Sequence, residues 1–220
     1  MGVLQIIQLG AKPLPSGTTL EQVERNTSEA LKDLEPRPEL TIGRQIQNKD
    51  IFQITSEWNM TSGSANQDAP SLRKSFVQSV ESGYDNSHSV FHVALNRSAF
   101  GKDGPATERV VEYVQNFFPA SEVTPEFQKK IEKDFLEFDE IYKAGVAGDK
   151  LKGLAFGWVV EELEHDDIKG DKAKCFTIMR GWGEMSHFEE SLKQEAYQKA
   201  IQILFAWGAP FKMWHIERNI

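Results

Sequence analysis

The end of the chain restates its middle. KMWHIERN (212–219) lies in register over SVFHVALN (89–96), with His215 on His92, Trp214 on Phe91, Ile216 on Val93 and Asn219 on Asn96. Upstream, KCFTIMRGW (174–182) repeats DIFQITSEW (50–58), pairing Phe176 with Phe52, Ile178 with Ile54 and Trp182 with Trp58. Further up, LAFGWVVE (154–161) falls on LTIGRQIQ (40–47), with Leu154 on Leu40 and Gly157 on Gly43. The spacing drifts as loops differ in length, but the order is kept. Collinear matches of this kind mark an internal repeat, and whatever one copy folds into the other must fold into as well.

Periodicity sets the element order within a copy. In the first, VLQIIQL (3–9) reads as a strand. Thr18 with Glu21 forms a capping box for a helix carrying Leu20, Val23, Thr27, Leu31 and Leu34, and Pro36 and Pro38 stop it. Strands 40–47 and 51–58 follow, joined by an Asn48-Lys49-Asp50 turn. A second helix carries Leu72, Phe76, Val77 and Val80, and strand 89–96 closes the copy. The second copy runs as strand 109–118, a helix capped by Thr124 with Pro125 at its first position, strands near 153–162 and 173–182, a helix opened by a Ser186–Glu189 capping box and running to Trp207, and strand 211–219. Residues 1–98 form the first repeat and 107–220 the second, with 97–106 (RSAFGKDGPA at 97–106) linking them.

A βαββαβ unit folds as a ferredoxin-like sandwich with both helices on one sheet face. The other face needs a cover, and a second copy supplies it. The expected fold class is therefore α+β: two fused ferredoxin-like repeats closing into one intramolecular α/β barrel. In the closing strands Phe91, Val93 and Leu95 alternate with His92 and Asn96, as Trp214 and Ile216 alternate with His215 and Glu217. If the bulkier set packs under the helices, His92 and His215 face the space between the sheets and meet there.

The two-copy plan, and above all the stretch from Cys175 to His215 (CFTIMRGWGEMSHFEES…APFKMWH), resembles the dimeric α/β-barrel superfamily, most of all its antibiotic-biosynthesis-monooxygenase-like branch. The resemblance implies a cavity within the barrel, used for cofactor-independent oxidation of aromatics, polyketide cyclisation, haem chemistry or ligand binding. Fold does not choose among these.

His92 and His215 are the candidate catalytic residues, because an imidazole titrates near neutrality and serves as acid or base. The alternative is a structural histidine kept in both copies and hydrogen-bonded to a neighbouring strand. Trp58, Trp182, Arg180 and Arg44 are the candidate substrate-binding residues: aromatic walls, and guanidinium groups able to hold a carboxylate or phenolate. Tyr113 and Glu217 are further polar strand residues that need partners if they face inward. His187 lacks ligand spacing, His165 in the acidic loop reads as solvated, His88 begins a strand and is open to either a structural or a functional role, and Ser64 and Ser186 lack a nucleophile motif. No metal site and no dedicated cofactor are expected, with haem kept as an open alternative.

Composition narrows the partners. A net charge of −8, with no window of clustered Lys and Arg, excludes a nucleic-acid groove. The acidic run Glu161–Asp167 reads as solvated loop. A lone cysteine, Cys175, fits a reducing compartment; no signal-peptide pattern or spanning apolar run is present, so a soluble cytoplasmic protein is expected, away from membranes. The functional expectation is a small-molecule enzyme acting on a hydrophobic, aromatic or polyketide-like compound, as monomer or homodimer. The rivals are a non-catalytic apolar-ligand-binding or stress-response barrel and a haem-binding barrel.

Overall fold

The computed structural model of the chain describes residues 3–11, 21–22, 25–26, 29, 39–58, 84–146 and 150–218. Eight strands close into one barrel: β1 (Val3–Ala11), β2 (Glu39–Gln45), β3 (Ile51–Trp58), β4 (Tyr84–Leu95), β5 (Val110–Pro119), β6 (Leu151–Val159), β7 (Ala173–Trp182) and β8 (Phe211–Arg218). Around the ring they run β1-β3-β2-β8-β5-β7-β6-β4, all antiparallel. Each half thus sets its strands in the ferredoxin-like order fourth, first, third, second, and all eight expected strands are present.

Three described helices belong to the second half: α1 (Pro125–Gly145), α2 (Met185–Ser191) and α3 (Glu195–Phe205). Thr124 caps α1 as its sequence implies, its hydroxyl accepting from the Phe127 N–H at 3.2 Å. The last helix departs from expectation. It begins at Met185 with Glu184 at the cap position, so Ser186 lies inside the first turn and makes no capping bond. It also breaks at Leu192–Gln194 into α2 and α3. Ser191 turns its hydroxyl back onto the Phe188 carbonyl at 2.6 Å, a local bond that competes with helix continuation. In the first half, residues 21–22, 25–26 and 29 are helical; Thr18 and the helix expected around Leu72–Val80 lie outside the described residues.

The facing of the closing strands is the reverse of the expectation. Phe91, Val93, Leu95, Trp214 and Ile216 point into the barrel, packed with Leu4, Ile6, Val111, Tyr113, Cys175 and Met179. His92 and His215 stand on the outer face. Contacts across the ring fix which side is inside: Tyr113 on β5 shares a 2.9 Å hydrogen bond with Thr55 on β3, and Trp214 on β8 donates to Gln53 on β3 at 2.8 Å, although neither pair of strands is adjacent. The barrel interior is thus a packed core rather than a cavity. Bulk alone could not choose the face, because the layer under the helices has its own aromatic set, Phe118, Phe156, Trp158, Phe176 and Trp182 from other strands packed with Phe135 of α1.

Two seams join the halves, β2 to β8 and β4 to β6. They are built alike. Gly43 pairs with Arg218 at one, and Gly157 pairs with Leu95 at the other. A Cβ on Gly43 would sit 2.1 Å from the Glu217 carbonyl oxygen, and one on Gly157 would sit 1.9 Å from that of Ala94. Both contacts are with backbone, so a side chain there forces the strands apart. The linker is tied down as well: Glu57 accepts from Ser98 and from the Ala99 N–H, both at 2.8 Å, and Ala99 and Ala106 are fully buried.

Gly43→Ala and Gly157→Ala are each expected to lower unfolding free energy by about 1–3 kcal/mol, and the losses should add in the double variant because the seams are far apart. Urea-denaturation midpoints measure this; unchanged midpoints would mean that the seams do not depend on these glycines.

Candidate active site

Each histidine is held at a seam by a fork from the other half. At the β2–β8 seam, Gln47 accepts from the His215 backbone N–H through Oε1 at 2.9 Å, and its Nε2 meets His215 Nδ1 at 2.7 Å. At the β4–β6 seam, Glu161 does the same: one oxygen accepts from the His92 N–H at 2.9 Å and the other binds His92 Nδ1. Backbone bonds flank both forks, Ile46 N–H to the His215 carbonyl and Val160 N–H to that of His92. Burial alone would raise the Glu161 carboxyl, but the bonds from His92 hold it below the ordinary range. The two histidines therefore sit at separate seams and do not meet.

Their surroundings differ along the row of residues that runs across each sheet's outer face. In the first half the row is His92, Gln5, Ser56, Leu40. In the second it is His215, Glu112, Arg180, Leu154. Gln5 donates to His92 Nε2 at 3.0 Å, so both ring nitrogens of His92 are engaged. His215 is fully buried, and its Nε2 has no hydrogen-bond partner among the described residues.

The second row is covered by α1 and α2. Arg180, 3% exposed, donates through Nη2 to Asp139 of α1 at 2.5 Å, while Lys143 takes the other Asp139 oxygen. The guanidinium lies 5.2 Å from the Tyr142 ring centroid. Its Nη1 has no partner among the described residues. Trp182 donates its indole N–H to Glu112 at 2.8 Å, and Phe188 of α2 packs on both Trp182 and His215. Ser191 spends its proton on the Phe188 carbonyl, so Tyr142 must donate to Ser191, at 2.5 Å. Burial raises the Glu112 carboxyl above its ordinary range, and Arg180 and the Trp182 N–H offset only part of that. Burial also pushes His215 down to about 4, so it is neutral near pH 7. The row brings together a carboxyl made more basic by burial, a neutral imidazole and a fixed cation with a spare N–H.

Three of the six candidates named from sequence, His215, Arg180 and Trp182, converge here. His92 and Arg44 do not. Arg44 faces outward on β2, 4.0 Å from Glu21, and pairs with Glu217 across the seam. Trp58 ends β3 opposite Val3, and its side chain lies outside the described residues. Tyr113 belongs to the barrel interior, stacked on Trp214 at 5.4 Å, and Glu217 is exposed beside Arg109 at 3.6 Å. Sequence reasoning missed Glu112 and Asp139. Glu112 was visible as the one acidic residue in the apolar run VVEYVQNFF, whereas Asp139 sits in a helix rich in charge.

His92 is not placed to ligate a haem iron, because both its ring nitrogens are occupied, and Phe188 packs 4.3 Å from the His215 ring. Among the described residues no group of His, Cys, Asp and Glu side chains could hold a metal ion, and no helix is long and apolar enough to cross a membrane. A separate cleft of about 780 Å³ opens at the far end of the helix layer, lined by Phe117, Phe118, Phe127, Trp207 and Lys169.

No family model matches the chain, and no curated protein does. Solved structures do. A proposed monooxygenase from Fusobacterium nucleatum superposes with a TM-score of 0.59 at 9% identity, covering 100% of this chain and 93% of that one. One from Lactobacillus acidophilus gives 0.56 at 12% identity over 100% and 94%. An anthrone oxidase-like protein gives 0.54 at 13% over 99% and 92%. These likenesses are of fold, and the fold is the dimeric α/β barrel, here closed within one chain.

The neutral state of His215 makes stability depend on pH. Its folded pKa is depressed, so the unfolded chain binds the proton first as pH falls from 6.5 toward 4. Acidification across that window is expected to cost on the order of 3 kcal/mol, and His215→Gln should remove that share. Glu112 acts in the opposite sense, losing stability as pH rises above 4.5. Urea titrations of wild type and His215→Gln at pH 7 and pH 4.5 isolate the histidine; equal pH dependence in both would contradict it. Asp139→Ala, which strands Arg180 without its carboxylate, is expected to cost about 3–5 kcal/mol in the same assay.

Proposed function

We propose that the chain is a small-molecule enzyme that removes a proton from an enolisable aromatic or polyketide-like compound in the helix-covered layer of the second half, without a dedicated cofactor. The observation that carries this reading is the row itself. Arg180 Nη1 and His215 Nε2 are buried without partners among the described residues, on the row that holds Glu112, whose carboxyl burial has made more basic. Buried polar atoms left unpaired are uncommon in a relaxed core and mark a place where a ligand's oxygens complete the bonding. In this reading Glu112 takes the proton, and Arg180 and His215 stabilise the enolate or phenolate oxygen that results. The electron-rich anion then reacts with dioxygen, or with a carbonyl of the same molecule to close a ring. Entry passes α2, a short helix set off from α3 by the break at Leu192–Gln194. The fold likeness to proposed monooxygenases and to an anthrone oxidase-like protein agrees with the oxidative branch.

Anthrone is a direct probe, because its oxidation to anthraquinone consumes one dioxygen and releases one water per molecule. Wild type is expected to accelerate oxygen uptake. Glu112→Gln should lower kcat roughly 10²-fold or more, and Arg180→Met should chiefly weaken the rate with anionic substrates. Equal oxygen uptake by wild type and Glu112→Gln would remove the row from the reaction.

A second reading has its own observation. The aromatic cleft around Phe118 and Trp207 suits an apolar ligand held without turnover. Trp207 fluorescence should then respond saturably to such a ligand while the Glu112 variant binds it unchanged.

A further inference from the structure

We infer that Gln47, contributed by the first half, fixes His215 of the second half in the tautomer that carries its proton on Nε2, so that the imidazole serves the buried row as a hydrogen-bond donor and not as a base. The inference rests on the reading of that row as a substrate site.

The logic runs through the fork. A backbone N–H can only donate, so the atom of Gln47 that meets the His215 N–H must be the carboxamide oxygen, as it is at 2.9 Å. The carboxamide nitrogen is then the atom left facing His215 Nδ1, at 2.7 Å. An amide nitrogen also only donates, so Nδ1 must accept and is bare. In a neutral imidazole the proton therefore sits on Nε2. That N–H is fully buried, without a partner among the described residues, on the row that holds Glu112 and Arg180.

The other seam supplies the internal control. There the fork is Glu161, whose two carboxylate oxygens both accept, one from the His92 N–H and one at Nδ1. Nδ1 of His92 must carry the proton, which leaves Nε2 to accept from Gln5, as observed at 3.0 Å. One amide in place of one carboxylate, at matching positions of the two halves, gives opposite tautomers. Gln47 touches no reacting atom in this scheme and is a positioning residue. The chemical consequence falls on the ligand. An Nε2–H beside the Arg180 guanidinium suits a ligand oxygen that gains negative charge, an enolate or phenolate, and disfavours a ligand that presents a donor there.

Histidine-ring nitrogen NMR on the intact ¹⁵N-labelled protein at neutral pH reads the tautomers directly. The expected spectrum shows His215 protonated at Nε2 and His92 at Nδ1. Gln47→Glu, which copies the other fork, should move the His215 proton to Nδ1, leave the His92 signals in place, and lower kcat on anthrone about 10²-fold, since a wrong tautomer disables an otherwise intact site. Glu161→Gln is the companion variant, and it should move the His92 proton to Nε2. A wild-type His215 protonated at Nδ1, or a Gln47→Glu protein whose His215 tautomer does not change, overturns the inference. So does a switched tautomer with undiminished turnover. The ring spectrum needs no substrate, so failure of anthrone turnover in wild type counts against the proposed function while the tautomer result stands or falls separately.

Discussion

Everything in this molecule hangs on two strand pairings between its halves. A four-stranded ferredoxin-like sheet has two open edges and one uncovered apolar face, and neither is tolerable alone in water. Joining β2 to β8 and β4 to β6 removes all four edges at once and encloses Phe91, Tyr113, Met179 and Trp214 in a common core. The pairings are short, three residues each in register, so their stability is drawn from additional bonds. Glycines let the backbones approach, and the Gln47 and Glu161 forks add two hydrogen bonds beyond the end of each ladder.

The forks also explain why the histidines recur. Each offers a backbone N–H and a ring Nδ1 at the spacing of a carboxamide or carboxylate, which few other side chains could match. The structural role and the chemical one are not rivals at His215. The nitrogen used by the seam is Nδ1, and Nε2 is left buried on the row that holds Glu112 and Arg180. At His92 the same seam bond is made, but Gln5 closes off the remaining nitrogen. The polar row with buried ionisable groups is thus a property of the second half's substitutions, Glu112 where the first has Gln5 and Arg180 where it has Ser56.

Most of the fold was legible in the sequence because strand and repeat signals are local. The segments around Gly43 and Gly157 match each other, and their last residues, Gln47 and Glu161, are the two forks. What they bonded to was not legible, since a strand's partner across a closed barrel leaves no local trace. The facing of β4 and β8 failed for a related reason. Alternation separates Phe91 and Val93 from His92, but it does not say which side is inside when a barrel core and a helix layer are both apolar. The break after Ser191 was hidden too, because the apolar spacing through Leu192 and Ala196 continues across it. Glu112 is a lone acid in an apolar strand, and alternation alone does not say whether such a residue faces a helix layer or water.

Closure within one polypeptide has a consequence for how charge can be placed. In a barrel assembled from two identical chains, every substitution is made twice, on both faces and against both helix layers. A buried guanidinium–carboxylate pair such as Arg180–Asp139 would then carry its dehydration cost in duplicate, as would the reluctance of a buried glutamic acid to ionise. Here the Ser56 side can stay neutral and inexpensive to bury while the Arg180 side takes on the strain. Covalent linkage thereby permits a division of labour that symmetry forbids, with one half free to be only scaffold and the other free to be less stable than it could be.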